Sequence, residues 1–161
     1  MPATSLSYED IMQKEILDVY LDKLTVNIRK YMLKDAIGKG DKRPIAFGVR
    51  LWKKAAEGDG YEFVDIETAG LYFNFYFTRG DGKTKNLTRY VVQDYGPGEI
   101  LPTTPLVDSY TYGVIDEACT SVAGPFKLAI VLKDAQTSTV ERTVWIIEGM
   151  IADTQAASTF T

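Results

Sequence analysis

Histidine is absent from the 161 residues of this chain, and Cys119 is its only cysteine. Without histidine the chain lacks the usual general base near neutral pH, the commonest metal ligand and the usual partner of a serine or cysteine nucleophile. A single cysteine can form neither an intrachain disulfide nor a thiolate metal cluster. These absences exclude most hydrolase and zinc mechanisms, so we expect a protein that is not an enzyme and holds no metal or cofactor.

Long apolar runs are also missing. No stretch approaches the roughly 20 apolar residues that a membrane-spanning helix needs, so no membrane partner is expected. The N-terminal residues lack the pattern of a signal peptide, which predicts synthesis in the cytoplasm of the cell that makes the chain. Eighteen basic against 22 acidic residues give a net charge of −4, which argues against a nucleic-acid partner.

What the chain does contain begins with a helical pattern from Ser7 to about Leu21. Ser7 followed by Asp10 resembles a capping box, with Asp in place of the usual Glu. The apolar positions that follow form a band wider than one stripe, so we expect this helix both to cover the core and to contact a second chain. The predicted interface residues on it are Tyr8, Ile11, Met12, Leu17, Tyr20 and Leu21.

From residue 24 onward the apolar period changes from helical to two. Residues 45–52 and 71–78 alternate strictly between apolar and polar or small side chains, which is typical of half-buried antiparallel strands. The predicted strands lie near residues 24–31, 45–52, 61–66, 71–78, 85–93, 110–115, 126–133 and 140–151. Seven or eight strands at this spacing predict an all-β antiparallel sandwich preceded by an α-helix. We divide the chain into a helical arm (1–23), a β-sandwich domain (24–152) and a short polar tail (153–161), and expect residues 116–122 to form one helical turn.

Acidic side chains provide two alternatives. Asp59, Asp65 and Asp81 could meet as a calcium site, but their spacing matches no EF-hand loop, and we predict no metal. Asp116 and Glu117 are candidates for a carboxylate-dependent glycosidase. Adjacent residues of a strand point to opposite faces, however, which is poor geometry for a shared catalytic site.

Arg79-Gly80-Asp81 matches the tripeptide that integrins recognise. Because Asp81-Gly82 is also a favoured pair for a type I′ hairpin turn, a structural turn is the expected role. Tyr110 and Tyr112 should project from one face of a strand, either filling the core or offering a carbohydrate-stacking surface. The aromatics considered for glycan binding are Trp52, Tyr72, Tyr76 and Tyr112.

The order of these segments resembles a known family. The segments that carry the resemblance are the strand 24–31, the alternating strand 45–51, the hairpin strand 71–77 ending in Asp81-Gly82, residues 123–126 before the strand 127–132, and the closing strand 143–147. In this order they are similar to the N-terminal immunoglobulin-like domain of phage baseplate upper proteins. The resemblance covers about residues 24–151 and implies an immunoglobulin-like fold. The helix before it and the end of the chain at Thr161 depart from the family pattern.

Domains of that family attach receptor-binding or fibre components to tailed-phage particles, and they bring no catalytic residues. The resemblance therefore implies a virion structural protein, an adaptor that anchors or decorates a fibre, baseplate or capsid assembly. Its expected partners are other virion proteins and further copies of itself. The alternative is a β-sandwich module that binds a carbohydrate or a host surface.

Overall fold

The structure is a computed structural model that describes residues 13–23, 28–134 and 141–153. Its strands are β1 (Gln13–Tyr20), β2 (Arg29–Met32), β3 (Ile37–Gly38), β4 (Ile45–Lys54), β5 (Tyr61–Phe63), β6 (Tyr72–Thr78), β7 (Thr84–Asn86), β8 (Arg89–Asp94), β9 (Asp108–Ile115), β10 (Gly124–Lys133) and β11 (Glu141–Ala152). Helical structure in these residues consists of a 3₁₀ helix (Leu21–Lys23), α1 (Ile66–Ala69) and α2 (Glu117–Thr120). The prediction of a β-sandwich is confirmed.

Two sheets form the sandwich. The first sheet has the order β1-β4-β9-β8, and β5 pairs with the end of β4. The second sheet has the order β2-β11-β10-β6-β7, and β3 also pairs with β11. The prediction of purely antiparallel sheets is wrong, because β1 runs parallel to β4, and both β2 and β3 run parallel to β11. Between β1 and β4 the chain adds two strands to the second sheet, and it then returns to the first sheet in the direction of β1.

The core lies between the sheets and follows the alternation of the central strands. On β4 the side chains of Ile45, Phe47, Val49 and Leu51 are at most 1% exposed, as are Phe73, Phe75 and Phe77 on β6. Burial of one such side chain contributes about 1.5–3 kcal/mol relative to leaving it in water. These two rows are the predicted apolar faces of residues 45–52 and 71–78.

The N-terminal helix is not found where the chain is described. Residues 13–20 form β1, which pairs with β4 over eight positions from Gln13 opposite Ile45 to Tyr20 opposite Trp52. Leu17 and Val19 point into the core with 8% and 3% exposure. The helix prediction is therefore wrong for these residues, and the rest of it (7–12) lies outside the described residues.

The physical reason is that an apolar run such as Ile16-Leu17 fits a helix and a strand equally well. Pairing with the open edge of β4 satisfies the backbone groups of the segment that face β4, and it buries alternate side chains. Such tertiary pairing overrides local helix propensity.

The predicted strand 85–93 is divided between the two sheets. β7 pairs with β6 in the second sheet, whereas β8 pairs with β9 in the first. Between them Leu87 is buried, and its backbone N–H donates to the carbonyl of Phe75 at 2.8 Å. This crossing closes one side of the sandwich. The helical turn expected at 116–122 is confirmed as α2.

Candidate protein interface

The three predicted interface residues that the structure describes do not share one surface. Tyr8, Ile11 and Met12 lie outside the described residues. Leu17 belongs to the core, and Leu21 packs partly buried against it. Tyr20 is half-buried with its ring edge-on to Tyr61, at 4.9 Å between ring centroids. Because Leu17 and Tyr20 are three positions apart on a strand, they project from opposite faces of the sheet.

A groove of about 460 Å³ opens where β1 and β5 of the first sheet approach the starts of β2 and β11 in the second. We call it the edge groove. Its aromatic, cationic and acidic lining residues are Tyr20, Tyr61, Trp145, Lys23, Arg29, Arg142 and Asp18. Among the residues that the structure describes, the lining thus carries three cations and one acid.

Trp145 forms the floor of the edge groove and ties the two sheets together. Its indole Nε1 donates to the backbone carbonyl of Asp18 at 3.0 Å, and its side chain is only 7% exposed. The guanidinium of Arg29 lies over the Trp145 ring, 4.7 Å from the ring centroid. The Asp18 carboxylate accepts a hydrogen bond from Trp52 Nε1 at 2.8 Å, so the one acid of the lining already has a partner.

On the opposite wall, Lys23 Nζ lies 5.6 Å from the ring centroid of Tyr20 and 5.4 Å from that of Tyr61. The Tyr61 hydroxyl donates to the Asp22 carboxylate at 3.0 Å. Across residues 13–23, 28–134 and 141–153, no salt bridge involves Lys23 or Arg29. Both cations are exposed and contact ring faces instead of carboxylates.

A second feature lies on the outer side of the same sheet edge. Met32 on β2 is 64% exposed, and Met150 on β11 is 46% exposed. Met32 pairs with Glu148, and Met150 is two residues further along β11, so both methionines project from the same face. This is the face opposite the core side chains Tyr31 and Ile147. We call Met32 and Met150 the edge patch.

The outer face of the first sheet carries a separate aromatic cluster. Tyr110 and Tyr112 share this face, as predicted, with Tyr112 beside Gly48 and stacked on Tyr90 at 5.2 Å between centroids. Tyr112 is 3% exposed, and burial raises its pKa to about 12. Tyr110 is half-buried under Arg50, whose guanidinium binds Asp108 at 2.7 and 2.8 Å. Tyr112 therefore fills a second buried cluster and offers no stacking surface.

The other aromatics considered for glycan binding are half-buried and engaged by neighbours. Trp52 donates to Asp18, as described above. The ring of Tyr72 is covered by Arg89, whose guanidinium carbon lies 4.0 Å from the centroid. The Tyr76 hydroxyl donates to Glu141 at 3.1 Å. In each of these three side chains, either the ring face or the polar group is therefore already engaged by a neighbouring side chain.

The three aspartates considered for calcium are held apart by other partners. Asp65 accepts a hydrogen bond from Gln93 at 2.6 Å, and Asp81 binds the guanidinium of Arg79 at 2.7 Å. Asp59 lies in the exposed turn between β4 and β5. Among the described residues, no three His, Cys, Asp or Glu side chains are grouped in a way that would hold a metal ion.

The Arg79-Gly80-Asp81 tripeptide forms the turn between β6 and β7, and its two charged side chains pair with each other. Arg79 also donates to the carbonyl of Ala118 at 3.2 Å. Only Gly82 has a positive φ in this turn, at 85°, so the turn is not type I′, which needs two such residues. The tripeptide closes a hairpin and braces α2.

Asp116 and Glu117 have different partners. Asp116 caps α2 by accepting from the Cys119 N–H at 3.1 Å and binds Lys85 Nζ at 2.7 Å, whereas Glu117 lies 3.8 Å from Lys42. Burial opposes the charge of Asp116, but the hydrogen bonds from Lys85 and Cys119 outweigh it and lower its pKa. Burial raises the pKa of the Cys119 thiol to about 12.

Comparison with known proteins places this chain in no family, since no family model and no curated protein matches it. Among solved structures it is similar to the N-terminal domain of ORF48 of phage TP901-1. The two share 9% sequence identity, with 88% of this chain and 99% of that one covered and a TM-score of 0.38. Such a likeness says nothing of function, which has to be argued from this chain's own residues. Within the described part of the chain, no helix has the length and apolar character to span a membrane.

Proposed function

We propose that this chain is a bacteriophage virion structural protein, a non-catalytic β-sandwich adaptor that anchors or decorates a fibre, baseplate or capsid assembly. Its partners are other virion proteins and further copies of itself. The phage context rests on the resemblance of the strand and turn pattern. The observation that supports action through protein contacts is the edge patch, two exposed methionines on one face at the edge of a sheet, with the half-buried Glu148 directly opposite Met32.

The methionines of the edge patch are suited to contact with the surface of another protein. Methionine is flexible and polarisable, and it adapts to a facing apolar surface better than branched side chains do. Met32 stands on a four-residue strand at the outer edge of its sheet, where a second molecule can approach without displacing a neighbour. A second copy offers a matching pair of methionines, which is the arrangement that a twofold symmetric contact requires.

Light scattering after size-exclusion chromatography tests this contact. We expect the chain to self-associate, and we expect a variant carrying Met32→Glu and Met150→Glu to shift toward monomer, because the contact would then bury opposed carboxylates. Thr84→Glu is the control for an added carboxylate away from the patch, since Thr84 is exposed on β7 at the other edge of the same sheet and its hydroxyl bonds only that of Thr78 in the described residues. A wild-type chain that stays monomeric at high concentration, or a double variant that associates as the control does, would contradict the proposal.

Point variants are needed for this test instead of removal of the N-terminal segment. Leu17 and Val19 are core side chains, so truncating residues 1–22 would remove a sheet strand together with any contact surface. A glycan-binding role is not favoured by a specific observation, because Trp52, Tyr72 and Tyr76 already contact neighbouring side chains.

A further inference from the structure

We infer that the edge groove binds an acidic, extended segment of a partner protein, with Arg29 and Lys23 receiving its carboxylates. This inference rests on the proposed adaptor function and names the chemistry of one partner. It depends on three observations: the positive charge of the lining, the absence of salt bridges to Lys23 and Arg29 among the described residues, and the cations that cover the aromatic rings.

The charge of the groove differs in sign from that of the whole chain. The protein has a net charge of −4, yet the described residues that line this groove include three cations and one acid. The acid, Asp18, keeps its charge and accepts a hydrogen bond from Trp52, so the cations of the described lining still outnumber the acids. A local positive potential in a concave site between two low-dielectric sheets attracts a negatively charged ligand.

The two cations that flank the groove retain their donors for a ligand. The guanidinium carbon of Arg29 lies 4.7 Å from the centroid of the Trp145 ring, and within the described residues Arg29 forms no salt bridge. An arginine held in this way can bind a carboxylate through two parallel N–H donors. Lys23 is held over Tyr20 and Tyr61, and within the described residues it has no salt-bridge partner. Ring stacking thus positions both cations without neutralising them.

The aromatic faces argue against a sugar as the ligand. A sugar ring needs an open aromatic face, but the ring of Trp145 is 7% exposed and lies under Arg29. Lys23 lies over Tyr20 and Tyr61. The groove runs between two sheet edges, a shape that suits an extended peptide. An acidic peptide segment therefore fits both its shape and its charge.

The edge groove and the edge patch can be occupied together. Arg29 shares its face with the core side of β2, because it pairs with the buried Trp145, whereas Met32 projects from the opposite face. A second copy on the patch would leave the groove free for a different partner. Loss of one contact therefore need not abolish the other.

Fluorescence anisotropy with the intact chain tests the inference. The probe is a labelled decapeptide of alternating glutamate and glycine, compared with its glutamine counterpart and with a sulfated oligosaccharide. We expect the glutamate peptide alone to bind, and its affinity to fall as salt rises toward 0.5 M, since screening weakens exposed charge pairs. Equal binding of the glutamine peptide, absence of binding, or preferential binding of the oligosaccharide would overturn the inference.

Variants locate the site. Arg29→Gln and Lys23→Gln should each weaken binding of the glutamate peptide by about two- to fivefold, as expected for the loss of one exposed charge pair. Arg29→Lys should recover part of the affinity, because lysine restores the positive charge but lacks the two parallel N–H donors of the guanidinium. Lys127→Gln is the matched control, since Lys127 is exposed on β10 and its loss changes net charge equally. Unfolding temperatures measured in parallel separate lost binding from lost folding.

The two proposals fail differently. If self-association depends on Met32 and Met150 while the glutamate peptide does not bind, only the groove inference is overturned. If the peptide binds through Arg29 and Lys23 while the chain stays monomeric, the proposed function fails and the groove remains an acidic-peptide site. A groove variant that binds as tightly as Lys127→Gln would also overturn the inference.

Discussion

Replacement of Leu17 by alanine distinguishes the β1 strand from an N-terminal helix. Leu17 is 8% exposed, pairs with Val49 and belongs to the main core. Truncating a buried leucine to alanine removes its transfer free energy and leaves a cavity, at a total cost of about 2–5 kcal/mol. Because β1 is an edge strand that can relax, we expect the lower part of that range, about 2–3 kcal/mol. For a chain of this size that loss lowers the unfolding temperature by roughly 4–12 °C.

Urea unfolding measures this loss, and fluorescence of Trp52 and Trp145 reports it from both sheets. Lys14→Ala is the control, because Lys14 is exposed on the same strand and surface truncations stay within about 0.5 kcal/mol. Light scattering should show the same oligomeric state for both variants. The strand assignment would be refuted if Leu17→Ala left stability within about 0.5 kcal/mol of wild type while changing the oligomeric state, as a helical interface requires.

Three further outcomes follow from the packing and the ion pairs. Cys119, 1% exposed and with its pKa raised to about 12, should resist an aromatic disulfide reagent at pH 8 and react fully in urea; rapid labelling of the native chain would contradict this. Asp116→Asn keeps the helix cap but removes the ion pair with Lys85, so it should cost about 0.5 kcal/mol in urea titrations. The pKa of Asp116 is lowered and that of Lys85 is raised, so both groups are charged and the cost should be constant from about pH 5 to 9. The cost should shrink as pH falls through the Asp116 pKa, and also as pH rises past the usual lysine value. A cost that persisted at pH 2 would count against the ion pair. Gly113→Ala should destabilise by about 1–3 kcal/mol, because its Cβ would lie 2.8 Å from a ring carbon of Phe75, whereas Gly60→Ala, with nothing within 4 Å, should be near neutral in the same titration.

The central strands could be predicted from sequence because their alternating pattern fits a strand and does not fit a helix. Residues 45–52 and 71–78 alternate over eight positions, and a helix would scatter those apolar side chains around its surface. β1 lacks such a pattern. Its strand character comes from pairing Gln13 with Ile45, 32 positions away, and the parallel direction depends on the path of the chain through the other sheet.

The division of residues 85–93 between two sheets also escaped prediction. The segment reads as one extended run, and the buried Leu87 at the crossing gives only a weak signal. The turn before it was predicted at the right place but with the wrong type, because only Gly82 takes a positive φ. Local sequence indicates where the chain turns more reliably than which sheet it joins next.

The candidate interface was the part least accessible to sequence reasoning. The edge groove gathers residues from five separate segments, and Lys23, Arg29 and Arg142 meet there only through the sheet topology. Each of these cations reads as an ordinary surface charge in the sequence. Met32 and Met150 likewise lie 118 positions apart and come to share one face of the sheet through the parallel pairing of β2 with β11.

The most direct test of the central claim is the copy number of this chain in purified phage particles, measured by quantitative mass spectrometry. Particles are prepared from hosts supplying the wild-type chain, the Met32→Glu, Met150→Glu double variant, or the Thr84→Glu control. We expect many copies per particle for wild type and control, and at least a tenfold lower number for the double variant. Absence of the wild-type chain from particles, or equal incorporation of all three, would contradict it.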